Sequence, residues 1–252
     1  MSHPKFPLIE SLVRGMEVFS CFDDSDSRLT NLELSERTGL PKPTVSRLTY
    51  TLMLLRYLSY NEVDGRYALS GKLLGLVRPL LTPNGLADVH KQAMRRLSQE
   101  TGCTVAIGQR LGMSIVYVYV IRGGHLVNLD IGVGYSVPIL RSAIGRAYVA
   151  SLSKPDRDSL LEQLTNDKSE SLATVIREMS AATKSLATYS YCTTLGDLFP
   201  YINAAAVPVH AKGMLDTTLL MCGGPSNVLT PEVIHKKVGP ALVELARQFE
   251  AE

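Results

Sequence analysis

No stretch of this 252-residue chain approaches the ~18–20 consecutive apolar residues that a membrane span requires. The opening segment, MSHPKFPLIESLVRG, has no apolar core of the kind a secretion signal carries. A cytoplasmic location without a membrane partner is the expectation. Cysteine is sparse: Cys21, Cys103, Cys192 and Cys222 stand far apart, with no CxxC and no Cys/His pattern. That spacing argues against structural disulfides and structural zinc, and buried thiols in a reducing compartment are the ordinary reading. A strong charge of one sign is missing too, since the formal net charge is only +2, which excludes a general polyanion binder. GxSxG, HExxH, P-loop and GxGxxG patterns are absent in any suitable context. The histidines, His3, His90, His125, His210 and His235, show no metal spacing. Ser142 precedes a helical pattern with no base near it in sequence, so it reads as a cap rather than a nucleophile. The expectation is no enzyme, no cofactor and no metal, with a hydrolase as a distant alternative.

What is present is 45% hydrophobic and 20% charged residues, ordinary for a globular chain long enough for two domains. The densest information lies in residues 30–69, TNLELSERTGLPKPTVSRLTYTLMLLRYLSYNEVDGRYAL. Thr30 with Glu33 three residues on fits a capping box, in which hydroxyl and carboxylate satisfy backbone N–H groups reciprocally. Gly39 stands where a left-handed helix end is needed. Pro41 and Pro43 suit a helix start, where no N–H partner is required. Val45, Leu48, Leu52 and Leu55 then recur on one face. Residues 57–60 and 66–69 alternate on either side of Asn61-Glu62-Val63-Asp64-Gly65, where Asp-Gly signals a hairpin. Two short helices, a Gly turn and a hairpin in this order make a winged helix-turn-helix, a shape that lays its second helix in the major groove of DNA. Lys42, Pro43, Thr44, Ser46, Arg47 and Tyr50 fall on or near the side away from the apolar face, and Arg66 stands at the hairpin edge, placed to touch a phosphate. Residues 37–80 hold seven Lys/Arg against two acids, a local +5. An isolated helical hairpin with a Gly turn is common, but the box, the glycine, the prolines and the hairpin together are specific.

These residues resemble the IclR family of bacterial transcription regulators. SLVRGMEVFSCF is similar to its first helix, ELSERTGLPKPTVSRL to its helix-turn-helix, and DGRYALSGKLLGL to its wing and linker helix. Pro43 departs from the Ser or Thr usual there. The likeness continues in ETGCTVAIGQRLGMSIVYV, VGYSVPILRSAIGRA, INAAAVPV and MCGGP. The resemblance implies an α+β protein with a winged helix-turn-helix over 1–70, a linker helix and turn over 71–83, and a GAF-like domain over 84–252 that binds a small organic effector. It implies a homodimer or homotetramer on an inverted-repeat operator in double-stranded DNA. It also implies effector contacts at Leu129, Val137, Ser142, Ala143, Ile144, Leu195, Asp197, Ala204, Met221 and Gly223. The acidic position falls on Thr194 or Leu195, and positions often polar in the family are Ala204, Met221 and Gly223 here, which points to an aromatic or acyl effector. Arg122 and Arg141 are the nearest cations for a carboxylate. A regulator whose second domain only dimerises or binds protein is the alternative.

Within residues 84–252 the patterns predict a helix through Leu86, Val89, Ala93 and Leu97, two strands around 110–113, a third strand over 126–132 and a helix over 142–152. They predict mostly helix over 155–179, strands over 202–209 and 215–221, and a closing helix over 231–249. Helices and antiparallel strands in this mixture fit an α+β sheet with helices packed on it.

Overall fold

The computed structural model describes residues 6–23, 25–81, 88–124, 131–166, 171–210 and 217–250. The chain divides into two compact units, residues 1–80 and 81–252.

The first unit contains α1 (Glu10–Ser20), β1 (Arg28–Thr30), α2 (Asn31–Thr38), α3 (Lys42–Leu54), β2 (Leu58–Asn61), β3 (Arg66–Leu69) and the start of α4 (Lys72–Leu81). Its core is Val18 of α1, Leu34 of α2, Val45 and Leu52 of α3, and Leu29 and Leu58 of the strands. Each such side chain contributes about 1.5–3 kcal/mol when fully withdrawn from water. The capping box forms: the Thr30 hydroxyl accepts from the Glu33 N–H at 3.2 Å, and the Glu33 carboxylate accepts from the Thr30 N–H at 2.6 Å. Gly39 ends α2 at φ +69°, which a residue with a Cβ adopts only with strain. The hairpin expected at 57–69 is one strand short of the structure: β1, unforeseen in the sequence, pairs with β3, giving a three-stranded sheet in the order β1-β3-β2. Gly65 sits at φ +67° in the hairpin turn.

The second unit is a six-stranded, wholly antiparallel sheet in the order β6-β5-β4-β9-β8-β7. Its strands are β4 (Thr104–Leu111), β5 (Ser114–Ile121), β6 (Ser136–Pro138), β7 (Cys192–Leu195), β8 (Ile202–Val209) and β9 (Thr218–Pro225). The helices are α5 (Asp88–Thr101), α6 (Ala143–Ser151), α7 (Lys154–Asn166), α8 (Leu172–Tyr189), α9 (Pro231–Val233) and α10 (Gly239–Glu250), the last two joined by a π turn at Ile234–Val238. Period-two alternation divides the sheet between two cores. Ala106, Ala206, Leu219 and Met221 face α6 and α8, whereas Val105, Ala205, Val207, Leu220 and Cys222 face α5 and α10. Helices therefore cover both faces. Gly145 lets the start of α6 pack tightly on the turn before it: a Cβ there would lie 2.0 Å from the Ile139 carbonyl oxygen.

The mostly helical stretch predicted over 155–179 forms as α7 and α8, the latter running to Tyr189. The strand predicted from 215 begins at Thr218, its first residues lying outside the described ones. Most of the strand predicted over 126–132 also lies outside them, and Ile131 and Gly132 belong to no strand. Among the described residues no helix is long and apolar enough to cross a membrane.

Candidate DNA interface and ligand cavity

The outward face of α3 follows from its buried one. Val45, Thr49 and Leu52 are buried, and at about 100° per residue the opposite direction is occupied by Pro43, Arg47 and Tyr50. All three are exposed, Tyr50 by 62%. Lys42 is exposed in the first turn. The other candidates sit differently. Ser46 is exposed on the α2 flank, its hydroxyl donating to the Lys42 carbonyl and accepting from the Asn31 amide at 3.1 Å. Thr44 is half-buried on the α1 flank, where it borders a groove of about 700 Å³ with Leu12 and Met16 of α1 and Leu48 and Leu55. Arg47 stands at the rim of the same groove.

Arg66 is tied into the protein through one nitrogen of its guanidinium, while its side chain stays 38% exposed. It donates to the Arg28 carbonyl at 2.9 Å and to the Glu33 carboxylate at 3.1 Å. Opposite charge and a backbone acceptor outcompete solvent for it. Glu33 therefore serves helix cap and wing at once. Hydrogen bonds from the Thr30 backbone and hydroxyl, with Arg66 beside them, hold its carboxyl below the usual glutamate range.

In the second unit a cavity lies between the sheet and the start of α6. Of the anticipated residues, Val137, Ser142, Ala143, Ile144, Ala204 and Met221 line it. Thr194, the alternative to Leu195 at the acidic position, lines it too, and Tyr117, Ile131, Leu198, Phe199 and Ile202, which were not anticipated, complete the lining. Ser142 caps α6: its hydroxyl accepts from the Gly145 N–H at 3.1 Å and donates to the Pro138 carbonyl at 2.6 Å. As it stands the cavity leaves about 30 Å³ in which the centre of a water molecule can move. That is room for water, which needs ~10–15 Å³, and not for a metabolite.

Two anticipated residues are placed elsewhere. Leu195 is 49% exposed, because alternation along β7 turns Thr194, not Leu195, to the cavity. The Asp197 carboxylate accepts from Arg146 at 2.8 Å, and its carbonyl accepts from Arg141 at 3.0 Å, so it is tied to cations outside the lining. Gly223 pairs with Ala204 across β8 and β9, in the row that also holds Thr194 and Thr104. Leu129 lies outside the described residues. Arg146 is the centre of a larger network. Besides Asp197 it donates to Glu178 at 2.7 Å and to the carbonyls of Leu140 and Thr193. It so joins α6, α8, β7 and the loop after β7 that carries Leu198 and Phe199. Alternation along β5, with Ile115 and Tyr117 both buried, was the signal that could have found Tyr117; Phe199 lies in a loop with no period to read.

A winged helix-turn-helix and a separate α/β/α unit with a helix-capped cavity define a ligand-responsive DNA-binding regulator as the class. Residues 11–62 match the family model for the IclR helix-turn-helix domain, and residues 80–250 match that for the bacterial transcriptional regulator IclR C-terminal domain. The chain belongs to the IclR family of transcription regulators. It is 30% identical over 247 residues to the HTH-type transcriptional regulator TsaQ1/TsaQ2 of Comamonas testosteroni, covering 97% of this chain and 88% of that one. It is 27% identical to the Pca regulon regulatory protein of Pseudomonas putida, with 95% and 82% covered. A crystal structure of an IclR family regulator from Brucella abortus superposes with a TM-score of 0.85 at 31% identity, covering 97% of this chain and 92% of that one. An IclR homolog from Microbacterium hydrocarbonoxydans, solved in complex with 4-hydroxybenzoate, shares the fold at a TM-score of 0.74 and 19% identity, with 96% and 98% covered.

Proposed function

We propose that this chain binds an inverted-repeat operator as a homo-oligomer and acts in the cytoplasm without catalysis. Lys42, Pro43, Ser46, Arg47 and Tyr50 meet DNA from α3, and a small organic effector in the α6 cavity modulates that binding. The observation that carries the DNA reading is the outward face of α3, where a cation and a large aromatic stand exposed with no side-chain partner among the described residues. Thr44 contributes from the flank. Arg66 contributes by fixing the wing. The apolar residues Leu12, Val13 and Met16 of α1, with Leu8 and Ile9 just before it, are exposed, which supports pairing of two copies there. The division into a DNA-binding part over 1–70, a linker over 71–83 and a sensing part over 84–252 belongs to the same proposal.

The cavity is walled mainly by aliphatic and aromatic side chains, and Ala204 and Met221 replace polar hooks with small and soft surface. An aromatic or acyl body gains about 25 cal/mol per Å² buried there. The 4-hydroxybenzoate complex of the Microbacterium homolog supports the aromatic class. Because the cavity has room for no more than water, a ligand must shift its walls, and a shift that favours one arrangement is what couples the cavity to DNA. The test is an operator-shift assay on the full chain against aromatic, acyl and small keto acids. An aromatic or acyl acid that changes operator affinity supports the reading. A response to glyoxylate-like acids alone refutes the effector class, and no operator selected from random DNA refutes the DNA reading.

A further inference from the structure

The outward line of α3 is chemically one-sided. At about 100° per residue, Pro43, Arg47, Tyr50 and Leu54 fall within about 60° of one another, on the side opposite Val45, Thr49 and Leu52. All four are exposed, Tyr50 by 62% and Leu54 by 66%. Arg47 is the one cation among them, and the other three present apolar or aromatic surface. The hydroxyls that flank the line are committed within the helix. Ser46 donates to the Lys42 carbonyl at 3.0 Å and Thr51 to the Arg47 carbonyl at 2.9 Å, so neither is left to donate to a base. Pro43 has no side-chain donor and no backbone N–H. Exposed apolar side chains in one row mark a surface that meets something apolar.

Base edges in the major groove carry donors and acceptors throughout, and their one apolar group is the C5-methyl of thymine. Resting on the DNA reading above, we propose that Pro43 and Tyr50 are specificity-determining residues that read thymine methyl groups near a guanine held by Arg47. The composition of α3 narrows the choice. It contains no Asn or Gln to pair with adenine and no Asp or Glu to accept from cytosine. Its Arg47 fork matches O6 and N7 of guanine, and its apolar row matches methyl groups. Lys42, a point charge in the first turn, has a phosphate for its partner. From Pro43 to Tyr50 the helix rises about 10 Å, which spans about three base-pair steps of ~3.4 Å, and Arg47 stands between them. The half-site met by one copy is a G·C pair with A·T pairs within about three steps of it. At those A·T pairs discrimination comes from contact with the methyl and not from hydrogen bonds.

The experiment uses the full chain and an operator selected from random DNA, with affinity measured by fluorescence anisotropy at fixed salt. Deoxyuridine is placed at each thymine in turn, which removes the C5-methyl and leaves the hydrogen-bonding edge unchanged. The same duplexes are titrated with Pro43→Ala and Tyr50→Ala, with melting curves to show that both fold. Two thymines near a guanine in each half-site should each lose about three- to fivefold in affinity with the methyl. That loss should fall to about unity at one of them in Pro43→Ala and at the other in Tyr50→Ala. The guanine between should be the base at which Arg47→Ala relaxes selection. Uracil tolerated at every position overturns the inference while leaving the DNA reading in place, and so do methyl penalties that survive in both variants. Variants that bind the operator as the wild type does but change the oligomeric state in sedimentation also overturn it, and give the apolar row to a protein contact. If no operator is selected, the DNA reading fails and this inference fails with it.

Discussion

Removing the Arg146 guanidinium should reveal how the α6 cavity is held shut. The side chain is 16% exposed and makes bonds to Glu178, Asp197, and the carbonyls of Leu140 and Thr193. In Arg146→Met the stem keeps most of its packing, so the loss is chiefly polar. The Glu178 bond, at 2.7 Å between two mostly buried groups, is charge-assisted and contributes about 1.5–3 kcal/mol. Part of it is retained, because Arg177 lies 3.2 Å from the other oxygen of Glu178. The two carbonyls lose their donors for about 1 kcal/mol each. The Asp197 pair is half open to solvent and is discounted to under about 1 kcal/mol. The expected destabilisation of the second unit is about 3–4 kcal/mol, which for a unit of this size lowers its melting temperature by about 6–16 °C. Asp197→Asn should lower it by no more than ~4 °C on the same scale. Differential scanning calorimetry on the full chain measures both. A melting temperature for Arg146→Met within ~2 °C of wild type would refute the network argument. An Asp197→Asn variant as damaged as Arg146→Met would show that the exposed pair, not the buried one, dominates.

Other outcomes are expected. Gly145→Ala places a Cβ 2.0 Å from the Ile139 carbonyl oxygen, a backbone atom that cannot swing aside, and should cost about 3 kcal/mol or more in urea denaturation; a neutral result would mean the α6 start is looser than described. Arg47→Ala should leave the melting curve unchanged and weaken specific operator binding by about 1–3 kcal/mol in a gel shift at fixed salt, and unchanged affinity would remove Arg47 from the interface. The Glu33 carboxyl is depressed in the folded state, so its contribution is present above the unfolded value near ~4.3 and is lost as pH falls through the folded one. The stability gap between wild type and Glu33→Gln should accordingly be flat near neutrality and close in acid, and a gap that widens in acid would contradict the assignment.

Local signals carried the first unit well. Thr30, Glu33, Gly39 and the two prolines each act within four residues of themselves, so their consequences could be read in order along the chain. β1 could not be read in that way. It is three residues long, has no period, and owes its existence to β3 some 38 residues on, as the Leu29–Tyr67 pairing shows. The intramolecular bonds of Arg66 were hidden for the same reason, its partners Arg28 and Glu33 being distant in sequence. In the second unit the strands and helices were legible from apolar periodicity, and the α6 start from its Ser cap. The cavity was legible only in part. A one-residue error of phase in β7 exchanges Thr194 for Leu195, because neighbouring side chains of a strand point oppositely.

The third strand beside the wing changes what a weakened operator complex would mean. A two-stranded hairpin alone is marginally stable in water. Here β1 pairs along one edge, Tyr60 packs on Tyr67 with centroids 4.8 Å apart, and Arg66 clamps the base to the cap of α2. A loose wing would surrender about 1–2 kcal/mol of conformational entropy for each backbone residue it ordered on DNA. This wing has surrendered that entropy already, on folding, and meets DNA preshaped. Substituting Arg66 would return the entropy to the unbound state, so operator affinity would fall even though no bond to a phosphate had been removed.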